Sequence, residues 1–215
     1  LAHDSPANKI TDRPLVSTQI IPTALSEPGM GLFGAFHPSD KSRLTYELYA
    51  VNGLTEGIIE ESDEGTRIAS GRHNIEDNNN SPAFTGRFGF SPFPEASIGF
   101  SWHTGQYNKT FLEDIQIDDP RNLTIIALDT DIHWKGYEIL GEYALAKIDL
   151  PSSLKGSIYA EKQQGLYLQG SVPFLRNTIS TIPGSFFEGV IRYGWIDMDS
   201  NLDEDHQTRL TLGLN

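Results

Sequence analysis

From Gly29 onward, apolar and polar residues alternate in segments of roughly ten, separated by turn-forming residues. A period of two is the signature of a β-strand with one face in an apolar environment. In Arg43–Asn52, Leu44, Tyr46, Leu48 and Ala50 share one face, opposite Thr45, Glu47 and Tyr49. Ala83–Phe90 sets Phe84, Gly86, Phe88 and Phe90 against Thr85, Arg87 and Gly89. Glu95–Thr104 sets Ile98, Phe100 and Trp102 against Ser97, Gly99, Ser101 and His103. Leu123–Trp134 sets Ile126, Leu128, Thr130, Ile132 and Trp134 against Asp129, Asp131 and His133. Tyr137–Lys147 opposes Tyr137, Ile139, Tyr143 and Leu145 to Glu138 and Glu142. Phe186–Ile196 opposes Phe187, Ile191, Tyr193 and Trp195 to Glu188 and Arg192, and His206–Asn215 opposes Leu210, Leu212 and Leu214 to Arg209 and Thr211. Met30–Phe36 and Gly165–Val172 fit less cleanly but have strand length, so nine strands are expected.

A soluble β-sandwich, such as a carbohydrate-binding module, alternates in the same way with its apolar face buried. Three features favour an antiparallel transmembrane β-barrel. The segments match the ~9–11 residues of a tilted membrane strand better than the five or six common in sandwiches. Aromatics gather at strand ends (Phe90, Phe93, Trp102, Trp134, Tyr137, Tyr193, Trp195), as in interfacial girdles. Connections alternate between short (His37–Ser42, Ser91–Pro94, Lys135–Gly136) and long (Gly53–Pro82, Gly105–Arg121, Asp149–Gln164). Short turns at one end and long loops at the other are the outer-membrane layout. Val172–Ser185 then falls on the turn side and Asp197–Asp205 on the loop side.

Charge agrees with that phase. Of 215 residues, 16 are Lys or Arg and 29 Asp or Glu, a net charge of −13. Gly53–Pro82 holds Glu56, Glu60, Glu61, Asp63, Glu64, Glu76 and Asp77 against Arg67 and Arg72. Asp197–Asp205 holds Asp197, Asp199, Asp203, Glu204 and Asp205 with no base, so most of the net charge lies in two loops expected to face outward. The acidic balance argues against a nucleic-acid partner, and the absence of Cys removes disulfides, thiol chemistry and Cys-based zinc sites. Leu1–Ile10 has neither the basic start nor the apolar stretch of a signal peptide.

His3-Asp-Ser-Pro, the stretch Thr11 to Thr23 and Ser26-Glu-Pro-Gly resemble Gram-negative outer-membrane porins, nearest the phosphate-selective porin family and its uncharacterised relatives. Leu44 to Leu54 resembles the hairpin that follows in that family; Phe186 to Asp199 and Thr208 to Asn215 resemble its closing strands. The resemblance implies passive conduction of small hydrophilic solutes or ions through a barrel in the outer membrane. The implied partners are outer-membrane lipid and two further copies of the chain in a homo-trimer; no cofactor or turnover is implied. It further implies that residues 1–28 form a loop folded into the lumen, with Lys9, Asp4, Asp12, Arg13 and Glu27 on the permeation path. Residues 29–215 then supply barrel strands. Bacterial barrels have an even strand number, so nine strands and an end at Asn215 read as a piece of a larger barrel, incomplete at both ends.

On this facing the lumen is lined by Glu47, Arg87, His103, Asp129, Asp131, His133, Glu138, Glu142, Glu188, Arg192 and Arg209. Six acids against three arginines do not fit phosphate selectivity, since rings of acids favour cations. Cross-strand pairing of these groups is the simpler role, with Arg192 and Arg209 both expected near Glu188. Ser101, His103 and Asp129 or Asp131 could be imagined as a hydrolytic set, but Gly99 to His103 lies within a strand and lacks the elbow turn. Asp197-x-Asp199-x-Asn201 begins like a calcium loop; Leu202 stands where Gly is needed and Thr208 where Glu is. The six His have no metal-ligand spacing. No catalytic or metal residue is therefore assigned. A receptor-type or enzymatic barrel would need a plug or a catalytic constellation.

Overall fold

The computed structural model describes residues 9–21, 26–60, 65–72, 77–178, 181–202 and 205–215. The protein is mostly antiparallel β-sheet. Its strands are β1 (Gly29–Phe36), β2 (Arg43–Val51), β3 (Ala83–Phe93), β4 (Ala96–Gln106), β5 (Phe111–Leu112), β6 (Ile115–Gln116), β7 (Asn122–Trp134), β8 (Tyr137–Ile148), β9 (Lys162–Phe174), β10 (Phe187–Asp197) and β11 (His206–Leu214). Nine of them form one meander, β1-β2-β3-β4-β7-β8-β9-β10-β11, in which every neighbour in the sheet is the next of the nine along the chain. β5 and β6 make a separate hairpin inside the loop after β4, a feature too short for periodicity to announce. The sheet is not closed: β1 pairs only with β2, and β11 only with β10, among the described residues.

Register carries each facing assignment across the sheet, because directly paired residues point the same way. Glu47 pairs with Arg87, Arg87 with Ser101, and Ser101 with Ala127. One row along, Phe88, Phe100, Leu128 and Tyr143 are successive partners. The sheet therefore has one polar and one apolar face, as the alternation predicts. The apolar face is bare. Leu128 is 54% exposed, Ile191 51% and Leu212 72%, and no second sheet covers it among the described residues. Lys135 and Gly136 close the β7–β8 hairpin with positive φ at both positions, the turn geometry that matches strand twist. Trp134 and Tyr137 stack across that turn, and Lys135 lies over the Trp134 ring.

What is buried lies on the other face. The short helix α1 (Leu15–Gln19) packs against β8, β9 and β10, with Val16 inside it and Ile20 just past its end, four residues apart, both fully buried. The segment after β2 folds in too, through α2 (Gly57–Glu60) and a 3-10 turn at Ile68–Gly71. Leu54, Ile58, Ile59 and Ile68 join Val16, Ile20, Ile125, Ala144 and Ile196 in one core. The reading of Gly53–Pro82 as a wholly outward loop is thus corrected: four apolar residues within an acidic stretch bring its first half onto the sheet. Gly57 and Gly71 allow the two turns to meet, since a Cβ on either would strike Ser70 or Thr55 backbone. Thr66 fastens the segment to the start of β9. Its hydroxyl accepts from Ala160 N–H at 2.9 Å and its carbonyl accepts Gln163 Nε2 at 3.0 Å. Glu61, Asp63, Glu64, Glu76, Asp203 and Glu204, with His3 and Asp4, lie outside the described residues.

Candidate functional site: the charged face and the segment laid across it

Residues 9–21 run over β8–β11 from the short-turn end toward the long-loop end, held at each end by different forces. Lys9 begins the run. Its Nζ donates to Glu188 Oε1 at 2.7 Å and Ser171 Oγ at 3.2 Å, and lies 3.1 Å from Glu138 Oε2. Glu138 pairs with Ser171 in register, and Glu188 sits one strand further on, so one ammonium bridges two carboxylates from different strands. Burial alone would lower the Lys9 pKa, but the hydrogen bonds and charges of Glu188 and Glu138 outweigh it and raise the value above the ordinary one.

Asp12 is the second anchor. Its carboxylate lies 3.5 Å from Arg192 Nη1 and 3.3 Å from Arg209 Nε, and accepts Thr211 Oγ1 at 3.3 Å. Arg192 also donates to the Asp12 carbonyl at 2.8 Å and, through Nε and Nη2, to Gln169 Oε1. Arg209 donates to the Arg13 carbonyl. The expectation that Arg192 and Arg209 pair with Glu188 is corrected. Arg192 is four residues from Glu188 on the same strand, roughly 14 Å at ~3.4 Å per residue, while Asp12 is laid directly over both arginines. Further along, Leu15 meets Gly194 and Ile20 meets Gly165, where missing side chains leave room for the segment.

The remaining charges form local sets. Arg87 makes a bidentate pair with Asp129, at 2.9 and 2.7 Å, reaching past its register partners Glu47 and Ser101. Gly99 permits this, because a Cβ there would collide with both the guanidinium and the carboxylate. Gly99→Val should separate the pair and lower the urea midpoint of the protein by an amount worth about 1–3 kcal/mol; an unchanged midpoint would mean that the pair contributes nothing. His133 lies between acids, Nε2 2.9 Å from Asp131 Oδ1 and Nδ1 3.5 Å from Glu138 Oε2. Glu142 receives Ser17 Oγ at 3.5 Å. Glu47 is exposed on the same face and makes no ion pair among the described residues.

All eleven residues named from sequence thus fall on one face, with Lys9, Asp12 and Arg13 laid across them or beside them; His103, Glu188 and Arg192 are buried there. Glu27 is not brought to this group. It sits beside Gly53, whose N–H it accepts, with Oε1 buried and unpartnered among the described residues. Burial raises its pKa and the Gly53 hydrogen bond opposes that rise. A raised folded-state pKa means stability is lost as pH climbs from the ordinary carboxylate range through the folded value. Glu27→Gln should therefore raise the urea midpoint at pH 7 and give no advantage near pH 4; a lower midpoint at pH 7 would reverse the sign.

Ser101 and His103 share no hydrogen bond and Asp129 is held by Arg87, so the imagined hydrolytic set is not assembled among the described residues. In the loop after β10, Asp197 Oδ2 accepts Gln164 Nε2 and Ser200 Oγ while Asp199 Oδ1 accepts Asn201 N–H, so these carboxylates organise their own turn. Described residues contain no group of three or more His, Asp or Glu placed to hold a metal. Sequence reasoning missed Gln163, a buried amide that ties the segment after β2 to the sheet, Gln169, a buried amide that holds Arg192 across β9 and β10, and Tyr107, whose buried hydroxyl donates to the Asp149 carbonyl. Burial raises the Tyr107 pKa.

Fold and face together define an all-β protein: an open antiparallel meander with one bare apolar face and one charged face partly covered by its own chain. No protein-family model matches the sequence, and no solved structure matches it significantly. It is 30% identical over 193 residues to an uncharacterised protein of Aquifex aeolicus, a match that takes in 81% of this chain and 41% of that protein. The chain thus spans about two-fifths of that relative's length.

Proposed function

We propose that these nine strands are part of the wall of an outer-membrane barrel that lets small hydrophilic solutes or ions diffuse passively, with a preference for cations. The observation that carries this reading is the bare apolar face. A continuous band of exposed Leu, Ile and Phe far exceeds the apolar patch a monomer in water ordinarily shows. On β8 the band runs from Tyr137 to Leu145 before Lys147 ends it. That is roughly 27 Å along the strand and about 21 Å at a ~40° tilt, near the ~25 Å band of membrane barrels. Lys162, Gln164 and Asp197 end it on neighbouring strands, and Trp134, Tyr137, Phe174 and Phe187 mark the opposite rim. Unpaired edges on β1 and β11 have no place in hydrocarbon, so the reading requires them to pair with further strands, with outer-membrane lipid on the apolar face. Trimerisation belongs to the same proposal.

The lumen side carries the selectivity argument. Arg87, Arg192 and Arg209 are all engaged by Asp129 and Asp12, and Lys9 by Glu138 and Glu188. Glu47, Asp131 and Glu142 lack a Lys or Arg partner among the described residues, which leaves a net negative path. The test is a planar bilayer separating unequal KCl solutions. Stepwise conductance with a cation-selective reversal potential is expected; anion selectivity would refute the charge argument, and insertion without steps would refute conduction. The complete burial of Val16, Ile20, Ile58 and Ile68 favours a second reading, a receptor-type barrel closed by its inserted segments. That reading predicts insertion without steps.

A further inference from the structure

Beneath the inserted segments lies a cavity of about 230 Å³, bounded by Ile21 and Leu54 above and by Ser101, His103, Asp129 and Glu142 on the wall. At ~30 Å³ per water it is several waters in size. Small side chains leave it room on the wall: Ala127 and its register partner Ser101 both line it, and Ala144 follows Ala127 on the next strand. We infer that this cavity is a binding site for a small organic cation, its ammonium on the Glu142 carboxylate and its short apolar body against Ile21 and Leu54.

The two acids are not equivalent. Asp129 is neutralised by the two-pronged Arg87 contact, whereas among the described residues the only group bonded to Glu142 is the Ser17 hydroxyl, at a long 3.5 Å. A shielded carboxylate without a cation is costly, and an ammonium with up to three N–H donors answers both the charge and the free lone pairs. His103 supplies the second, independent observation. Its side chain lines the cavity, it is 9% exposed, and Nδ1 has no partner among the described residues. A neutral imidazole there tolerates a cation, and an arginine or lysine would not. An anion would meet both acids, and an uncharged alcohol would leave Glu142 uncompensated. Most of the lining is apolar, which sets the class as an alkylammonium-like solute and excludes a bare hydrated ion.

Binding is read directly and does not depend on conduction, so failure of the channel reading would leave this result standing, and the reverse. The full chain in detergent is titrated calorimetrically with butylammonium chloride, 1-butanol and sodium butyrate. Butylammonium should saturate and bind at least tenfold more tightly than butanol, and butyrate should give no heat. Glu142→Gln should weaken butylammonium at least tenfold, and Ser17→Ala should strengthen it or leave it unchanged, because a competing donor is gone. Equal affinity for the cation and the alcohol, or an unchanged affinity in E142Q, would overturn the assignment. The probe series on the unmodified chain decides the matter even where E142Q does not fold.

Discussion

With Leu128 replaced by Arg, the protein in lipid vesicles should lose about 2–4 kcal/mol of stability, the cost of a cation on the lipid face near mid-membrane. Leu128 is the middle residue of β7, flanked in register by Phe100 and Tyr143, and no described residue lies over it. In water the expectation is the opposite. An exposed Leu→Arg change on a soluble sheet is close to neutral, within about 0.5 kcal/mol, and relieves an apolar patch. Urea midpoints in vesicles separate the outcomes, since the same substitution is severe in one setting and harmless in the other. A neutral result in vesicles would remove the strongest support for a lipid-facing wall.

Lys9→Met should cost about 3 kcal/mol, in the range for removing one partner from a shielded charge cluster. Glu138 and Glu188 both have side chains only 11% exposed and share the single ammonium. Without it, two carboxylates from different strands are left facing each other. The linkage has a definite sign: Lys9 titrates above its ordinary value, so its stabilisation is complete below about pH 10 and is lost as pH rises through the folded value. The variant should therefore melt lower at pH 7, with the difference from the unmodified chain shrinking in strong alkali. It should also free residues 9–21 from the wall, seen as faster proteolysis between Lys9 and Ile21. Equal melting at pH 7 would mean that the segment is held by Asp12 and the apolar contacts alone.

The nine strands were legible because one face meets an apolar environment and the other does not, so a slip of one residue would reverse every side chain. Register then placed Glu47, Arg87, Asp129 and Arg192 on one face without further information. Their partners were another matter. Asp12 reaches Arg192 across 180 residues of sequence, and no local rule ties the two. The inserted segment had a signal that charge obscured: Leu54, Ile58, Ile59 and Ile68 fit a buried turn, yet seven acids surround them. Val16 and Ile20 carried a similar hint at helical spacing. Arg87 choosing Asp129 over its register partner Glu47 depends on Gly99, where the missing side chain leaves room for the guanidinium and carboxylate to meet.

All three tryptophans, Trp102, Trp134 and Trp195, lie on the apolar face, two toward the loop end and one at the turn end. Their fluorescence in vesicles of acyl-brominated lipid is the most direct test of whether that face meets hydrocarbon. The account predicts strong quenching by brominated chains and little by aqueous acrylamide. Strong acrylamide quenching, with none from the brominated lipid, would contradict it.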